Sequence, residues 1–377
     1  MPTPLPFVDL KAQYARLKPS IDERIRRVLE HGQYILGPEV AELETELARF
    51  CGARHCVTVA SGTEALRLPL MADGVSAGDA VFLPAFTFPA TAEVVVALGA
   101  TPVFVEVDEK TYNIDPGHFR YMVAETRRNT SLRPRAVMPV DLFGLPADYA
   151  AIHALAQSQD LLVLADAAQS FGARLGNRLV GTLAPVTATS FFPAKPLGAY
   201  GEGGAIFTDD EKYAHVLRSI RAHGAGDDRY DIVRLGTNGR LDTLQAAVLL
   251  AKLEIFADEL AMRERWATRY DRQLGEGLIR PARPADTASA WAQYCVRAPR
   301  RDEVRAFLAA RGIPTAVYYP KPLHFQPAYE RFGQGRGSLP VSERICEEIL
   351  ALPMHPYLDE ALIDRIAGTL VAAVGRA

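Results

Sequence analysis

Between residues 55 and 166 the chain repeats one pattern, and that pattern restricts its fold more than any other feature. A short run rich in β-branched and aromatic residues is followed each time by a stretch whose apolar residues recur at helical spacing. The strand candidates are "HCVTVA" (55–60), "DAVFLP" (79–84), "PVFVEV" (102–107), "RAVMPV" (135–140) and "LLVLAD" (161–166). Amphipathic helical patterns lie between them, near 63–73, 88–98, 116–126 and 147–158. A helix between two strands carries the chain back to the end where the first strand began, so the strands run parallel. The expectation is a mostly parallel sheet with helices on both faces, which binds its ligand beyond the carboxyl ends of the strands.

Flanking segments complete the outline. "PSIDERIRRVLEHG" reads as a helix with Ser20 as N-cap and Gly32 as its stop, and "GPEVAELETELARFCG" as a helix with Pro38 in its first turn and Gly52 at its end. A single long helical pattern over about 240–275 leads out of the sheet region, and the Gly- and Pro-rich segment 275–289 reads as a linker. Residues 290–377 alternate short strands and helices. A chain of 377 residues exceeds the size at which one core stops growing. Two units are therefore expected, a large one over 1–250 and a smaller C-terminal α/β unit over 251–377.

Bulk properties narrow the function classes. A net charge of −3 provides no basic field for nucleic acid. Four cysteines (Cys51, Cys56, Cys295, Cys346) in so long a chain are no disulfide framework, and no partner set beside Cys51 and Cys56 completes a zinc site, so no metal is expected. The start, "MPTPLPFVDLKAQ", lacks the features of a signal peptide. The most apolar stretch, "FTFPATAEVVVALGATPVFVEV", is interrupted by Glu93 and a Gly-Ala-Thr-Pro break and reads as helix, turn and strand. A cytoplasmic protein that engages neither membrane nor nucleic acid is expected.

Chemistry concentrates at the strand ends. In "VTVASGTEAL" a strand gives way at once to a helix at Ser61-Gly62-Thr63. The free N–H groups and positive dipole end of such a turn suit a phosphate, though Ser61 or Thr63 as an ordinary N-cap explains it equally. In "LLVLADAAQSFGA" Asp166 follows a buried strand, placed either to cap a helix or to hold a proton on a buried basic heteroatom, with Gln169 one helical turn further along the same side. "PAFTFPATAE" offers Phe86 and Phe88 as core residues or as a plate for a flat ring. "TSFFPAKPLGAYGEGG" sets Lys195 between phenylalanines and glycines, with Ser190 just before. That lysine is either an ordinary loop residue or one desolvated enough to be nucleophilic. Neither nucleotide-binding glycine fingerprint is present. A phosphate cradle, an aromatic plate, a strand-end aspartate and a lysine, in that order, are what pyridoxal 5'-phosphate requires. Its phosphate needs donors, its ring a stacking face, its pyridine nitrogen a carboxylate, and its aldehyde a lysine with which to form a Schiff base.

At this point the chain resembles the DegT/DnrJ/EryC1/StrS sugar aminotransferases. The resemblance rests on "FVDLKAQY", "HGQYILGPEVAELE", "ASGTEAL", "PAFTFPATAE", "DAAQSFGA", "TSFFPAKPLGAYGEGGAIFT", "GTNGRLDTLQAAVLLAKLE" and "LPMHPYLDE", which span nearly the whole chain. It implies the aspartate-aminotransferase fold (fold type I of the pyridoxal-phosphate enzymes), an α/β architecture with a smaller C-terminal α/β domain. It implies that Lys195 carries the cofactor, Asp166 pairs with its pyridine nitrogen, Phe88 stacks on its ring, and Gln169 lies by the phenolic oxygen. Gly62, Thr63 and Ser190 correspond to the phosphate site. Asn238 resembles the asparagine that reaches the phosphate from a neighbouring subunit, and Arg240 a residue of the same loop near the sugar diphosphate. The resemblance therefore implies a homodimer with shared active sites, a nucleotide-diphospho-keto-sugar substrate and glutamate as amino donor, in the synthesis of surface polysaccharide or a glycosylated metabolite.

"RLDTLQAA" is closer to members acting at C3 of the sugar than at C4, and the overall pattern most resembles the UDP-2-acetamido-3-oxo-glucuronate aminotransferases. One departure stands out: Tyr318-Tyr319 replaces the usual His-Tyr at a position that faces the nucleotide-sugar. Three other classes in the family are a dehydratase, against which Lys195 argues, a non-catalytic regulator, and an enzyme acting on a dTDP-linked keto-hexose or a non-nucleotide cyclic ketone.

Overall fold

A computed structural model describes residues 5–228, 230–275 and 277–375. Residues 1–4 of the N-terminal segment and Glu276 of the expected linker lie outside the described residues. Seven strands form the central sheet: β1 His55–Val59, β2 Asp79–Pro84, β3 Thr101–Val105, β4 Arg133–Val137, β5 Leu162–Asp166, β6 Val186–Ser190 and β7 Gly204–Thr208. Their spatial order is β1-β7-β6-β5-β4-β2-β3. Only β7 runs antiparallel to its neighbours; the pairs β2/β3, β2/β4, β4/β5 and β5/β6 are parallel. Six strands therefore end at one edge, where β7 begins. Val59 and Ser190 both pair with Gly204 at that edge. A Cβ on Gly204 would lie 2.5 Å from the Ser61 carbonyl oxygen and 2.8 Å from that of Thr189. Glycine is thus what lets three backbones converge there.

Two helices precede the sheet, α1 Leu10–His31 and α2 Pro38–Cys51, and α3 Gly62–Ala72, α4 Ala90–Ala97, α5 Pro116–Asn129 and α6 Tyr149–Gln159 fill the gaps between strands. The alternation of side chains along a strand sorts them into layers. In β2, Val81 and Leu83 join a core with Leu66 of α3 and Val94 of α4, whereas Ala80 and Phe82 join a second core with Phe119 of α5 and Ile152 of α6. Every residue of β2 is buried, which explains its unbroken apolar run. Truncating Phe82, whose ring centroid is 5.6 Å from that of Phe119, costs about 3–5 kcal/mol.

Two sequence expectations are corrected. Ser20 is not an N-cap. It lies inside α1, which starts at Leu10, where the Asp9 carboxylate accepts from the Ala12 N–H at 2.9 Å. Pro19 is tolerated within that helix because Leu17 and Ile21 on either side pack on Val248 and Ala251, and this burial outweighs the local break signal. The helical pattern over 240–275 is two helices, α8 Thr243–Leu253 and α9 Phe256–Gln273, after α7 Glu211–Arg221. The chain leaves helical geometry at Ile255 (φ −112°), and Phe256 packs on Phe50 and Phe171 at 5.4 and 5.8 Å between ring centroids.

Beyond α9, strands β8 Tyr294–Arg297 and β9 Ile349–Leu352 pair antiparallel. With α10 Arg301–Ala309 and α12 Glu360–Val374 they enclose a core that includes Tyr270, Tyr294, Leu308, Leu352 and Ile366, and α11 Pro340–Glu348 leads into β9. A shared cluster joins Phe86, Val140 and Phe143 at the sheet edge to Cys295 and Ile345, with Tyr319 against it. All four cysteines are buried thiols. Among the described residues, no helix is long and apolar enough to cross a membrane.

Candidate active site

A cavity of about 490 Å³ opens where the parallel strands end. Strand direction alone delivers its key residues: Ser61, Gly62 and Thr63 follow β1, Phe88 follows β2, Asp166 ends β5 and Ser190 ends β6. The same cavity is lined by Gln169 and Lys195 and, from the C-terminal part of the chain, by Tyr318 and Tyr319.

Asp166 is 5% exposed. Its Oδ2 accepts from the Thr91 hydroxyl at 2.8 Å and its Oδ1 from the Ala168 N–H at 3.2 Å. Burial pushes its pKa up, and those two donors, together with the Lys195 charge, pull it back down. Burial acts on Lys195 in the opposite sense, holding its pKa below the ordinary lysine value, with Asp166 opposing. A cavity-facing amine is thus shifted toward its neutral, nucleophilic form beside a carboxylate kept in place by two hydrogen bonds. Thr91, not anticipated from the sequence, stands four residues after Thr87, with their hydroxyls 3.2 Å apart. The spacing of two threonines one turn apart at a helix start was the only available signal.

The segment after Asp166 is a tight turn, not a helix, so Asp166 caps nothing and Gln169 reaches the cavity by the turn. The Phe143 N–H donates to Gln169 Oε1 at 2.6 Å, which leaves Nε2 to donate to the Tyr319 hydroxyl at 3.1 Å. Burial pushes the Tyr319 phenol well up, so it stays a neutral hydroxyl. Phe86 is buried core, whereas Phe88 is 55% exposed, with its ring centroid 6.2 Å from that of Tyr319. An exposed phenylalanine over a cavity is a face awaiting a flat partner.

At the other end, Ser61 is the N-cap of α3, its Oγ accepting from the Glu64 N–H at 3.1 Å. Capping thus accounts for Ser61, while Thr63 and the helix N-terminus still face the cavity. Gly62 packs so closely on Ser190 that a Cβ would lie 2.6 Å from Ser190 Cβ. The closeness brings the Ser190 hydroxyl to the helix start. Glu202 and Gln293 also line the cavity, without having been anticipated.

Asn238 and Arg240 are not among the lining residues of this cavity. They sit in the loop before α8, where Arg240 donates to Asn238 Oδ1 from Nε at 3.1 Å and from Nη2 at 2.5 Å.

Comparison with known proteins agrees with this geometry. Residues 16–371 match the model of the DegT/DnrJ/EryC1/StrS aminotransferase family. The chain belongs to that family. A UDP-2-acetamido-2-deoxy-3-oxo-D-glucuronate aminotransferase of Pseudomonas aeruginosa is 49% identical over 365 residues, 97% of this chain and 99% of that protein. Among solved structures, a DegT/DnrJ/EryC1/StrS aminotransferase from Brucella abortus superimposes with a TM-score of 0.96 at 49% identity, covering 98% of this chain and 100% of that one. The S. venezuelae DesV protein, solved with a ketimine intermediate, gives a TM-score of 0.95 at 39% identity over 99% of each chain. The chain is a sugar aminotransferase of the aspartate-aminotransferase fold, and pyridoxal phosphate is its cofactor. The residues present fit that group: a buried carboxylate, a desolvated amine, an exposed aromatic face, and a helix N-terminus where the missing side chain of Gly62 leaves room.

Proposed function

We propose that this aminotransferase moves an amino group onto C3 of a UDP-linked 3-keto sugar of the glucuronate type, with glutamate as donor, as a homodimer whose sites are shared. The observation that carries the reading is the convergence of Lys195, Asp166, Gln169 and Phe88 on one cavity, in a chain half identical to an enzyme of that name. Bound pyridoxal phosphate supplies an electron sink for negative charge developing at the reacting carbon.

The protein's own residues do the rest. Lys195 Nζ holds the cofactor at rest and, once freed by the donor amine, takes and returns the proton in the 1,3-shift; its lowered pKa suits that exchange. Asp166 holds positive charge on the ring nitrogen. Thr91 and Ala168 keep that carboxylate oriented. Phe88 fixes the ring plane, and Gln169, with Oε1 already engaged by Phe143, offers Nε2 to the phenolic oxygen. Gly62, Thr63 and Ser190 receive the phosphate at the start of α3. Tyr318 and Tyr319, on the segment that closes the cavity from the C-terminal side, bear on the sugar. There the sheet edge meets the C-terminal part of the chain.

Asn238 and Arg240 act in the partner's site, since in their own chain they face each other and not the cavity. The exposed apolar run Ile232, Val233 and Leu235 beside them is a surface for that partner.

The substrate is tested by running the whole transamination backwards. Cofactor-loaded protein is mixed with UDP- or dTDP-linked 3-amino and 4-amino sugars plus 2-oxoglutarate, and glutamate formation is measured. The UDP-linked 3-amino uronate should be the best substrate. Turnover confined to 4-amino or dTDP-linked sugars would overturn the assignment.

A further inference from the structure

Lys252 lies in α8, behind the cavity, and is 1% exposed. Burying an ammonium is costly unless its bonds are made, and methionine or leucine would fill that space without the cost. Its Nζ donates to the buried Gly198 carbonyl at 2.6 Å and stands 4.1 Å from the centroid of the Tyr200 ring. Among the described residues, no carboxylate lies within 4 Å of it. The nearby Glu259 is occupied by Gln13, at 3.1 and 2.9 Å, and by the Tyr357 hydroxyl. The charge is therefore spent on one backbone carbonyl, three residues beyond Lys195.

Gln245 sits seven residues earlier, two turns along the same helix face. Its Oε1 accepts from the Tyr200 N–H at 2.9 Å. The two side chains thus hold the chain at Gly198 and Tyr200, on the far limb of the loop that carries Lys195. The near limb is tied by the loop itself: Lys195 N–H donates to the Phe192 carbonyl at 2.9 Å and Ala199 N–H to the Phe191 carbonyl at 2.7 Å. Gly198 admits no side chain, since a Cβ would lie 2.4 Å from the Pro193 oxygen. A loop this tight transmits any shift at Gly198 to Lys195.

We propose that Lys252, assisted by Gln245, is a positioning residue for Lys195: through the Gly198 carbonyl it sets where the Lys195 amine stands in the cavity. Burial lowers the Lys252 pKa to about 8, with Glu259 opposing, so the ammonium is charged at neutral pH, as a strong donor to a carbonyl should be.

The proposal rests on Lys195 being the cofactor-bearing residue, which borohydride mapping of the wild-type chain tests separately. The variants are Lys252→Met, which leaves the Gly198 carbonyl unpaired, and Gln245→Ala, at the exposed end of the clamp. Three measurements apply: amide exchange at Lys195 and Ala199 in cofactor-free protein, the pH at which the absorbance of the cofactor–Lys195 bond titrates, and kcat against KM. In Lys252→Met, exchange at both amides should rise about tenfold, the absorbance titration should move, and kcat should fall by about 10- to 100-fold with KM within about twofold. Gln245→Ala should move the same readouts in the same direction by less. A role in stability alone would lower the melting temperature and leave the titration pH in place. If Lys252→Met does not fold, Gln245→Ala decides alone. Unchanged exchange and titration in a folded variant would overturn the proposal.

Discussion

The loop around Lys195 and the loop over 226–240 are both glycine-containing, both tied by backbone hydrogen bonds within the chain, and both carry residues matched to the chemistry, yet they dispose their side chains differently. The first is cross-tied, and buried from Pro196 to Ala199: the Gly198 carbonyl, the Tyr200 N–H and the Ala199 N–H all have partners within the chain. The second exposes Ile232, Val233 and Leu235, the last at 88%, and the side chains of Asn238 and Arg240 bond to each other. One loop is complete within a single chain. The other leaves Ile232, Val233 and Leu235 exposed and turns the Arg240 guanidinium onto Asn238. Desolvation that a charged site requires is built into the first, and in the proposed homodimer the second serves a partner subunit.

The largest effect expected from that contrast comes from mixing two dead proteins. Lys195→Ala homodimers and Asn238→Ala/Arg240→Ala homodimers should each be nearly inactive. Random subunit exchange makes about half of all dimers mixed, and each mixed dimer holds one site with both defects and one with neither, so activity should return to roughly a quarter of wild type per site. If the 226–240 loop served its own chain, mixing would restore nothing.

Within the buried region, Asp166→Asn should bind cofactor yet lose about 10³-fold in kcat, a barrier increase of about 4 kcal/mol, because an amide cannot hold the ring nitrogen's positive charge. Steady-state kinetics on the reconstituted variant would measure it. Turnover near wild type would remove Asp166 from that role.

A third test addresses the exposed surface. Leu235→Asp should weaken subunit association by about 10- to 100-fold, read by sedimentation across a dilution series, while the buried loop keeps its amide protection. An unaltered association constant would place the partner elsewhere.

The smallest effect is expected at Thr91. Its hydroxyl is the stronger of the two donors that lower the Asp166 pKa. In Thr91→Val that pKa rises further, so the carboxylate is protonated at higher pH. The acid limb of the kcat/KM profile should then move upward by about one unit.

Much of this was legible in the sequence, for identifiable reasons. Buried parallel strands are continuous apolar runs, and β2 is buried at every position. Asp166 was placed correctly at a strand end because strand direction carries it to the binding edge, whereas the strand that Ser190 ends was not among the candidates. Helix ends were read less well. Pro19 is a strong local break signal that packing of Leu17 and Ile21 overrode, and Phe256 breaks a helical pattern that has no break signal of its own. Contacts between distant segments left no trace in local pattern. Thr91 meets Asp166 across 75 positions, and Lys252 meets Gly198 across 54. Gln169 was named for its place, but its bond to Tyr319 joins the sheet edge to a segment 150 residues away.

The central claim is that the half-buried lysine of the cross-tied loop is the cofactor's anchor, and chemical trapping tests it most directly. Purified protein loaded with pyridoxal phosphate is reduced with borohydride, digested, and the modified peptide is sequenced by mass spectrometry. The label should map to Lys195 with near-unit stoichiometry and be absent from Lys195→Ala. Label on Lys252 or on any other lysine would contradict the account.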